Sequence, residues 1–316
     1  MRISLNKNAA VVAELCLVML LGLAAGCAGM GLGHKAGSPT AVAARVQSDV
    51  VYGRPDGATL LMDVYYPSNA AAARLPVVMY VHGGGWQMGS KEMLAMMPGP
   101  AELLRRGYLV AAINYRLAPQ FKFPAMLEDA KGAVRFLRAH ATDFNLDPAR
   151  VGVMGDSAGG QLVALLGLTG PGNGFEGETA NGPSSQVQAV VDFYGPSDFK
   201  AGRTSESSIK LVKAAFGATN ADDPVLVTAS PVTYVSSHAP PFLILHGDHD
   251  GLVDPQQSVE LAARLQAAGD AATLVVITNY AHGYTPLGMK SQPDFAGLSR
   301  IVADFFDHNL RPDQSR

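Results

Sequence analysis

Short apolar runs alternate with helical patterns along most of this chain, and the alternation constrains the fold more than any other feature. The strand-like runs lie at 60–65, 77–82, 109–115, 151–154, 187–194, 242–246 and 274–278. The helical patterns lie at 100–106, 124–140, 160–168, 255–268 and 295–310. Several strand-like runs are apolar throughout, as strands covered on both faces are. The pattern predicts an α/β fold with a mostly parallel, twisted sheet and helices on both faces.

One segment, 197–230, departs from this alternation. It is long and polar, with a single short helical pattern near 208–216. Long excursions in compact domains are often lids or binding loops, so we expect a small lid-like insertion here. An ordinary surface loop is the alternative.

The N-terminal residues have the pattern of an export signal. Arg2 and Lys7 precede an apolar run at 15–25 that ends in small residues and is too short to span a membrane. Leu-Ala-Ala-Gly-Cys at 23–27 resembles a bacterial lipobox, although its leucine stands four residues before Cys27 rather than three. We predict a signal peptide at 1–26 and an exported protein: a periplasmic or cell-envelope lipoprotein with Cys27 lipidated and attached to the membrane, or a secreted one.

Residues 27–48 are rich in Gly, Ala and Ser, so they are predicted to form a flexible tether to one catalytic domain at 49–312. Both cysteines, Cys16 and Cys27, precede that domain, which therefore has no disulfide. The formal net charge of −3 supplies no basic surface for nucleic acid, which excludes a nucleic-acid partner.

The pentapeptide Gly155-Asp156-Ser157-Ala158-Gly159 lies between a predicted strand and a predicted helix. Small residues on both sides of a serine permit the sharp turn that lifts its hydroxyl above the sheet, and this context makes Ser157 a candidate nucleophile. A glycine-rich turn with an incidental serine would match the pentapeptide alone. The flanking strand and helix argue against that reading.

A second glycine-rich loop, His82-Gly83-Gly84-Gly85-Trp86, follows the strand at 77–82. Acyl transfer builds an oxyanion that needs backbone N–H donors aimed at it in advance. We predict Gly83, Gly84 and Ala158 as those donors, with Gly85 left open. Trp86 is predicted to line the substrate pocket, with a place in the core as the alternative.

The nucleophile needs a base and an acid, which follow it in the order acid then histidine in this fold. His282 lies in a loop after the last predicted strand, whereas His308 lies in the terminal helix, so His282 is predicted as the base. Asp248, Asp250 and Asp254 compete for the role of acid.

Asp248 follows Gly247 in a tight turn, and Asp254 precedes Pro255 as a helix N-cap. Asp250 is therefore the predicted acid, with Asp254 as the alternative. His246 and His249 lack a cluster with metal-ligand spacing, so no metal site is expected.

These motifs resemble those of the α/β-hydrolases that carry an HGGG loop, the hormone-sensitive-lipase-like and BD-FAE-like esterases. The resemblance also rests on 114–119, 123–124, 128–129, 241–250 and His282-Gly283, and it covers nearly the whole predicted domain. It implies an α/β-hydrolase fold and the triad Ser157, Asp250 and His282. Hormone-sensitive-lipase-like members usually have a helical cap before the first strand. Only the tether precedes residue 49 here, which favours the BD-FAE-like group.

The resulting expectation is a serine carboxylesterase that acts on small or short-acyl carboxylic esters through an acyl-enzyme, with no cofactor or metal. An acetyl xylan or feruloyl esterase acting on acylated plant carbohydrate and an arylformamidase are the enzymatic alternatives. A non-catalytic ligand-binding protein on the same fold is the alternative from another class. The oligomeric state is left open.

Overall fold

The computed structural model describes residues 38–68, 74–200, 206–284 and 290–311. The predicted signal peptide, the lipidation site at Cys27 and most of the predicted tether lie outside these residues, so they remain predictions. None of the helices in the described ranges is both long and apolar enough to cross a membrane.

The described residues form an eight-stranded sheet with the strand order β1-β2-β4-β3-β5-β6-β7-β8. Strands β3 to β8 pair in parallel, whereas β2 pairs antiparallel with both β1 and β4. The strands are β1 (Arg45–Gly53), β2 (Leu60–Tyr66), β3 (Leu75–Val81), β4 (Leu109–Ile113), β5 (Leu146–Asp156), β6 (Ala189–Phe193), β7 (Phe242–Gly247) and β8 (Ala272–Ile277).

The central strands are buried along their whole length. Every residue of β3, β4, β6 and β7 is buried, which is why these segments read as continuous apolar runs. Their sequence pattern correctly predicted a sheet covered on both faces.

The helices cover the two faces. They are α1 (Pro39–Val42), α2 (Pro100–Arg105), α3 (Ala125–Ala139), α4 (Ala158–Leu168), α5 (Glu206–Phe216), α6 (Pro224–Thr228), α7 (Gln256–Ala267) and α8 (Phe295–Leu310). Buried side chains of α3, α4 and α7 share one core cluster, and those of α2 and α8 share the other. This arrangement confirms the predicted α/β architecture.

The predicted start of the domain at Asp49 is wrong. Strand β1 begins at Arg45, inside the predicted tether, and Arg45 pairs with Tyr66 of β2. Most of β1 is exposed, and its pairing is interrupted between Gln47 and Val50, so it lacks the regular apolar alternation of a strand. At that irregularity the N–H of Asp49 donates to Asp63 at 2.9 Å.

The parallel strands place the predicted site residues at one edge of the sheet. The glycine loop follows β3, Ser157 follows β5, the loop of Asp250 follows β7, and His282 follows β8. Because the carboxyl ends of parallel strands face the same way, four distant segments meet there.

Candidate active site

Ser157 sits at a strained turn between β5 and α4. Its backbone has φ 52° and ψ −116°, outside the regions that most residues adopt. A Cβ on Gly155 would lie 2.4 Å from the carbonyl oxygen of Gly159, and one on Gly159 would lie 2.1 Å from that of Val81. Because both positions are glycine, the backbone can make the tight turn that lifts the hydroxyl of Ser157 above the sheet. The N–H of Ser157 donates to the carbonyl of Phe193 at 2.8 Å, which ties the turn to β6.

The structure brings His282 between Ser157 and Asp250. The Nε2 atom of His282 lies 3.0 Å from Oγ of Ser157, and its Nδ1 lies 2.7 Å from Oδ2 of Asp250. An ionised carboxylate only accepts hydrogen bonds, so Nδ1 carries the proton and Nε2 can accept from the serine hydroxyl. The ring of Tyr194 packs edge-on against His282, with the centroids 4.8 Å apart.

Asp250 is held by four donors although its side chain is fully buried. Its Oδ1 accepts from the N–H of Leu252 at 2.8 Å and of Val253 at 2.9 Å, while Oδ2 accepts from His282 and from Nε2 of His246, the latter at 3.1 Å. Burial alone would raise the pKa of Asp250. The hydrogen bonds from His246 and His282 overcome that effect and hold the pKa well below its ordinary value. Asp250 is therefore ionised at neutral pH.

The competing carboxylates of this loop have other partners. Asp254 accepts from the N–H of Gln256 at 2.9 Å, at the start of α7, as expected of a capping residue. Asp248 contacts Nδ1 of His249 at 2.6 Å and the N–H of Tyr280 at 3.3 Å. Of the three aspartates, Asp250 is the one in contact with His282.

The glycine loop differs from the prediction at Gly83. Its N–H donates to Oδ1 of Asp156 at 2.9 Å, and the hydroxyl of Tyr80 donates to the same oxygen at 2.7 Å. The predicted role of Gly83 as an oxyanion donor is therefore wrong, because a buried carboxylate already occupies this N–H. The sequence gives no sign of this contact, since 73 residues separate Gly83 from Asp156.

Gly84, Gly85 and Ala158 remain as candidate donors. Gly84 and Gly85 line the pocket beside Ser157 and have φ of +115° and +58°. A Cβ on Gly84 would lie 2.2 Å from the carbonyl oxygen of Met88, so this position requires glycine. The N–H of Ala158 opens α4 and therefore has no acceptor within the helix. These three groups can donate to a negative oxygen near Ser157.

His82 supports the glycine loop without a charge. Burial lowers its pKa to about 4, so the imidazole is neutral at pH 7. Its ring stacks on Tyr115 with centroids 4.2 Å apart, and the Tyr115 hydroxyl donates to the His82 carbonyl at 3.0 Å. His82, the first residue of the glycine loop, is thus held in place by Tyr115, which follows the neighbouring strand β4.

The pocket above Ser157 is mostly apolar, and its open space is about 630 Å³ including the mouth. Its walls are Gly84, Gly85, Trp86, Met88, Pro196, Phe199, Ser208, Leu211, Val212, Leu252, Val253 and Gln257. The polar wall groups have partners: Oε1 of Gln257 accepts from the N–H of Ser197 at 2.7 Å, and the Ser208 hydroxyl donates to the Leu252 carbonyl at 3.0 Å. An apolar group of a ligand fits these walls best.

Helix α5 covers this pocket, as the lid interpretation of 197–230 predicted. Ser208, Leu211 and Val212 of α5 line the pocket, and Phe216 anchors the helix against Trp86 with ring centroids 4.8 Å apart. The contact is close, because a Cβ on Gly85 would lie 3.3 Å from Leu211. Residues 201–205 of this segment lie outside the described residues.

Trp86 satisfies both interpretations given to it. It lines the pocket and also belongs to the buried core beneath α5. Its Nε1 donates to Oε1 of Gln161 at 3.0 Å, and the amide nitrogen of Gln161 donates to the carbonyl of Ala229 at 2.8 Å. This buried chain of hydrogen bonds fixes the indole beside Ser157.

His246 is the site residue whose role the sequence did not reveal. The sequence argues against a metal role for it and indicates no other, yet it lies at the end of β7 and contacts the carboxylate of Asp250. A histidine four residues before the acid is too weak a sequence signal to identify that contact. Over the described ranges, no group of three or more His, Cys, Asp or Glu residues could hold a metal ion.

Comparison with known proteins agrees with this architecture. The BD-FAE family model matches residues 62–265. The chain is 32% identical over 255 residues to the esterase LipQ of Mycobacterium tuberculosis, a match that covers 77% of this chain and 58% of LipQ. Across the three mycobacterial relatives LipQ, LipC and LipM, the matched segment makes up 49 to 61% of the relative's own length.

Two solved structures are similar in fold. A truncated carbohydrate esterase from gut microbiota has a TM-score of 0.71 and 27% identity, covering 85% of this chain and 97% of that one. A thermophilic esterase of Thermogutta terrifontis with propionate bound has a TM-score of 0.66 and 25% identity, covering 84% of this chain and 93% of that one. With the fold, the glycine loop and the matched family model in agreement, this chain belongs to the BD-FAE family of α/β-hydrolases.

Proposed function

We propose that this protein is a serine carboxylesterase that hydrolyses small or short-acyl carboxylic esters. The observation that carries the proposal is the chain of hydrogen bonds from Ser157 Oγ through His282 to Asp250, with distances of 3.0 Å and 2.7 Å. Nucleophile, base and acid are the parts that acyl transfer through an acyl-enzyme requires.

In the first half-reaction, Oγ of Ser157 attacks the carbonyl carbon of the ester while its proton passes to Nε2 of His282. The negative oxygen of the tetrahedral intermediate accepts hydrogen bonds from Gly84 and Ala158, with Gly85 as a third donor. Asp250 stabilises the imidazolium through Nδ1. The carbon–oxygen bond to the alcohol then breaks, and the alcohol leaves with the proton from Nε2.

In the second half-reaction, water replaces the alcohol. His282 takes a proton from the water as its oxygen attacks the acyl-enzyme, and the same N–H donors hold the second oxyanion. The bond to Oγ of Ser157 then breaks, and Nε2 returns the proton to the serine. The products are a carboxylic acid and the unmodified enzyme, with no metal or cofactor in any step.

The pocket supports a short acyl group as the preferred substrate. Its walls are apolar, and α5 crosses above Ser157 with Leu211 and Val212 facing the space. An acyl chain of a few carbons gains from burial there, whereas a long chain meets the helix. The related T. terrifontis esterase with bound propionate is consistent with this size class.

An esterase acting on acylated carbohydrate is the second candidate. The specific observation in its favour is the similarity to a carbohydrate esterase from gut microbiota, with a TM-score of 0.71. The chemistry at Ser157 would be the same, so only the alcohol portion of the substrate separates the two candidates.

Rates on two substrate classes test the proposal. We expect the wild-type protein to hydrolyse p-nitrophenyl acetate and butyrate faster than acetylated xylan or feruloyl sugars, and the Ser157→Ala variant to lose this activity. A fluorophosphonate probe should label Ser157 in the folded protein. Absence of label would refute the proposed esterase activity and favour the non-catalytic ligand-binding alternative. Faster hydrolysis of acetylated xylan than of the p-nitrophenyl esters would favour the carbohydrate esterase.

We further propose that the protein is exported and lipidated at Cys27. The proposal rests on the apolar leader and on the lipobox-like residues 23–27. Intact mass spectrometry of the protein from the membrane fraction should give a chain that begins at residue 27 and carries acyl groups. A soluble chain cleaved at another position would contradict it.

A further inference from the structure

A second histidine contacts the acid of the proposed triad. His246, at the end of β7, is 1% exposed, and its Nε2 lies 3.1 Å from Oδ2 of Asp250. The same nitrogen lies 3.0 Å from the carbonyl oxygen of Val253, and Nδ1 lies 2.7 Å from the hydroxyl of Ser258. Both polar atoms of this buried ring are therefore fixed.

The neighbours of His246 determine which nitrogen carries a proton. Both groups beside Nε2, a carboxylate and a carbonyl, accept hydrogen bonds only, so Nε2 carries the proton. The Ser258 hydroxyl can donate to Nδ1. A ring protonated on Nε2 alone thus satisfies all of these partners and donates a hydrogen bond to Asp250.

This donation bears on His282, because both histidines use the same oxygen. Oδ2 of Asp250 accepts from His246 at 3.1 Å and from His282 at 2.7 Å. A donor that stabilises the carboxylate disperses its negative charge, and this weakens the attraction that Oδ2 exerts on the second donor. His246 therefore competes with His282 for the acid.

The other groups around His246 do not duplicate its contact with Oδ2. Asp192, on the neighbouring strand β6, has a partner of its own, since its Oδ1 accepts from the N–H of Gly195 at 2.9 Å. The ring of Tyr194 lies edge-on between the two histidines, with centroids 6.4 Å from His246 and 4.8 Å from His282. Among these groups, His246 and His282 are the ones that reach Oδ2.

We propose that His246 is a positioning residue that shares Oδ2 of Asp250 with His282 and limits the strength of the hydrogen bond from His282. By limiting that bond, His246 weakens the stabilisation that Asp250 gives to the imidazolium form of His282 during the reaction. This inference rests on the proposed esterase function. Deleting the contact leaves Oδ1 of Asp250 oriented by Leu252 and Val253, so the acid stays in place.

Two variants of His246 test this role. His246→Phe keeps a ring in the buried site but removes the donor, and the acidic limb of kcat/KM against pH should move to higher pH by roughly half to one unit. His246→Gln places an amide N–H near the position of Nε2 and should return the limb to within about 0.2 units of wild type. KM should change less than about twofold in both, since His246 does not itself line the pocket and reaches only the backbone carbonyl of the wall residue Val253.

Proton NMR supplies a readout that does not depend on turnover. The Nδ1 proton of His282, identified by its loss in His282→Gln, should resonate further downfield in His246→Phe than in wild type, because its hydrogen bond to Oδ2 is stronger. Circular dichroism and thermal unfolding identify any variant that fails to fold. If His246→Phe fails to fold, His246→Asn, which is smaller and too short to reach Oδ2, replaces it with the same expected shifts.

The outcomes separate the two proposals. A folded His246→Phe protein with an unmoved acidic limb and an unmoved Nδ1 resonance would overturn the role of His246, as would equal behaviour of the Phe and Gln variants. If wild type hydrolyses no ester, the proposed function fails. The Nδ1 resonance then still decides whether His246 modulates the bond between His282 and Asp250.

Discussion

Replacing Asp250 by asparagine changes the hydrogen bonding of the proposed triad while keeping its shape. The asparagine oxygen must stay where Oδ1 is, because it accepts from the N–H groups of Leu252 and Val253 at 2.8 and 2.9 Å. The amide NH2 then takes the place of Oδ2 and faces Nδ1 of His282, 2.7 Å away in wild type. Two donors cannot share that contact, so His282 must move its proton to Nε2.

The consequence for catalysis follows from that proton. With Nε2 protonated, His282 can no longer accept the proton of Ser157, whose Oγ lies 3.0 Å away. We expect kcat to fall about 10⁴-fold, as it does for the equivalent substitution in a serine-protease triad, which corresponds to about 5 kcal/mol of transition-state stabilisation. Initial rates on p-nitrophenyl butyrate at pH 7 to 8 measure the loss.

Asp254→Asn is the matched control, because it makes the same chemical change four residues away. Asp254 accepts from the N–H of Gln256 at the start of α7, and asparagine caps a helix about as well as aspartate does. Its kcat should stay within about twofold of wild type. The reasoning is refuted if Asp250→Asn keeps more than a tenth of wild-type kcat, or if Asp254→Asn loses as much activity as Asp250→Asn.

Three further predictions concern the lid and two buried titratable groups. Leu211→Ala removes part of the wall that α5 presents to the pocket. The kcat/KM for p-nitrophenyl octanoate, divided by that for p-nitrophenyl acetate, should therefore rise severalfold. An unchanged ratio would show that the lid does not select the acyl chain. Burial lowers the pKa of His82 to about 4, so between pH 6.5 and 4 the unfolded chain binds a proton that the native state does not, and wild type loses about 3 kcal/mol of stability as the pH falls through that window. His82→Gln should flatten this part of the curve in urea denaturation, and an unchanged slope would contradict the assignment. Burial raises the pKa of Asp192 to about 6, so its ionisation costs about 3 kcal/mol as the pH rises from 4 to 6. The stability of Asp192→Asn relative to wild type should therefore improve from pH 4 to pH 7, and a constant difference in unfolding free energy would refute the raised pKa.

The features that could be predicted are those that leave a pattern in the local sequence. Strands such as β3 and β7 are buried on every residue, so each appears as a continuous apolar run. The strained turn at Ser157 needs small neighbours, and these appear as glycines on both sides. The order of acid and histidine along the chain follows from the order of the strands. The fold and the candidates Ser157 and His282 could therefore be identified from the sequence, which favoured Asp250 as the acid and kept Asp254 as the alternative.

Other features depended on contacts between distant segments. Strand β1 is mostly exposed and is defined by pairing with β2, so its own residues resembled a tether. His246 has a role only because β7 places its ring beside the oxygen that His282 also uses.

The sequence by itself determined the buried strands of the sheet, the turn that raises Ser157 and the candidate base His282, because burial and tight turns leave local patterns. For the acid it left Asp254 as an alternative to Asp250. Tertiary structure alone decided which N–H groups of the glycine loop are open, since Asp156 binds Gly83 across 73 residues, and which donors share Asp250. A hydrogen bond between remote segments depends on their final placement. The sequence around one residue of such a pair therefore does not indicate the other residue.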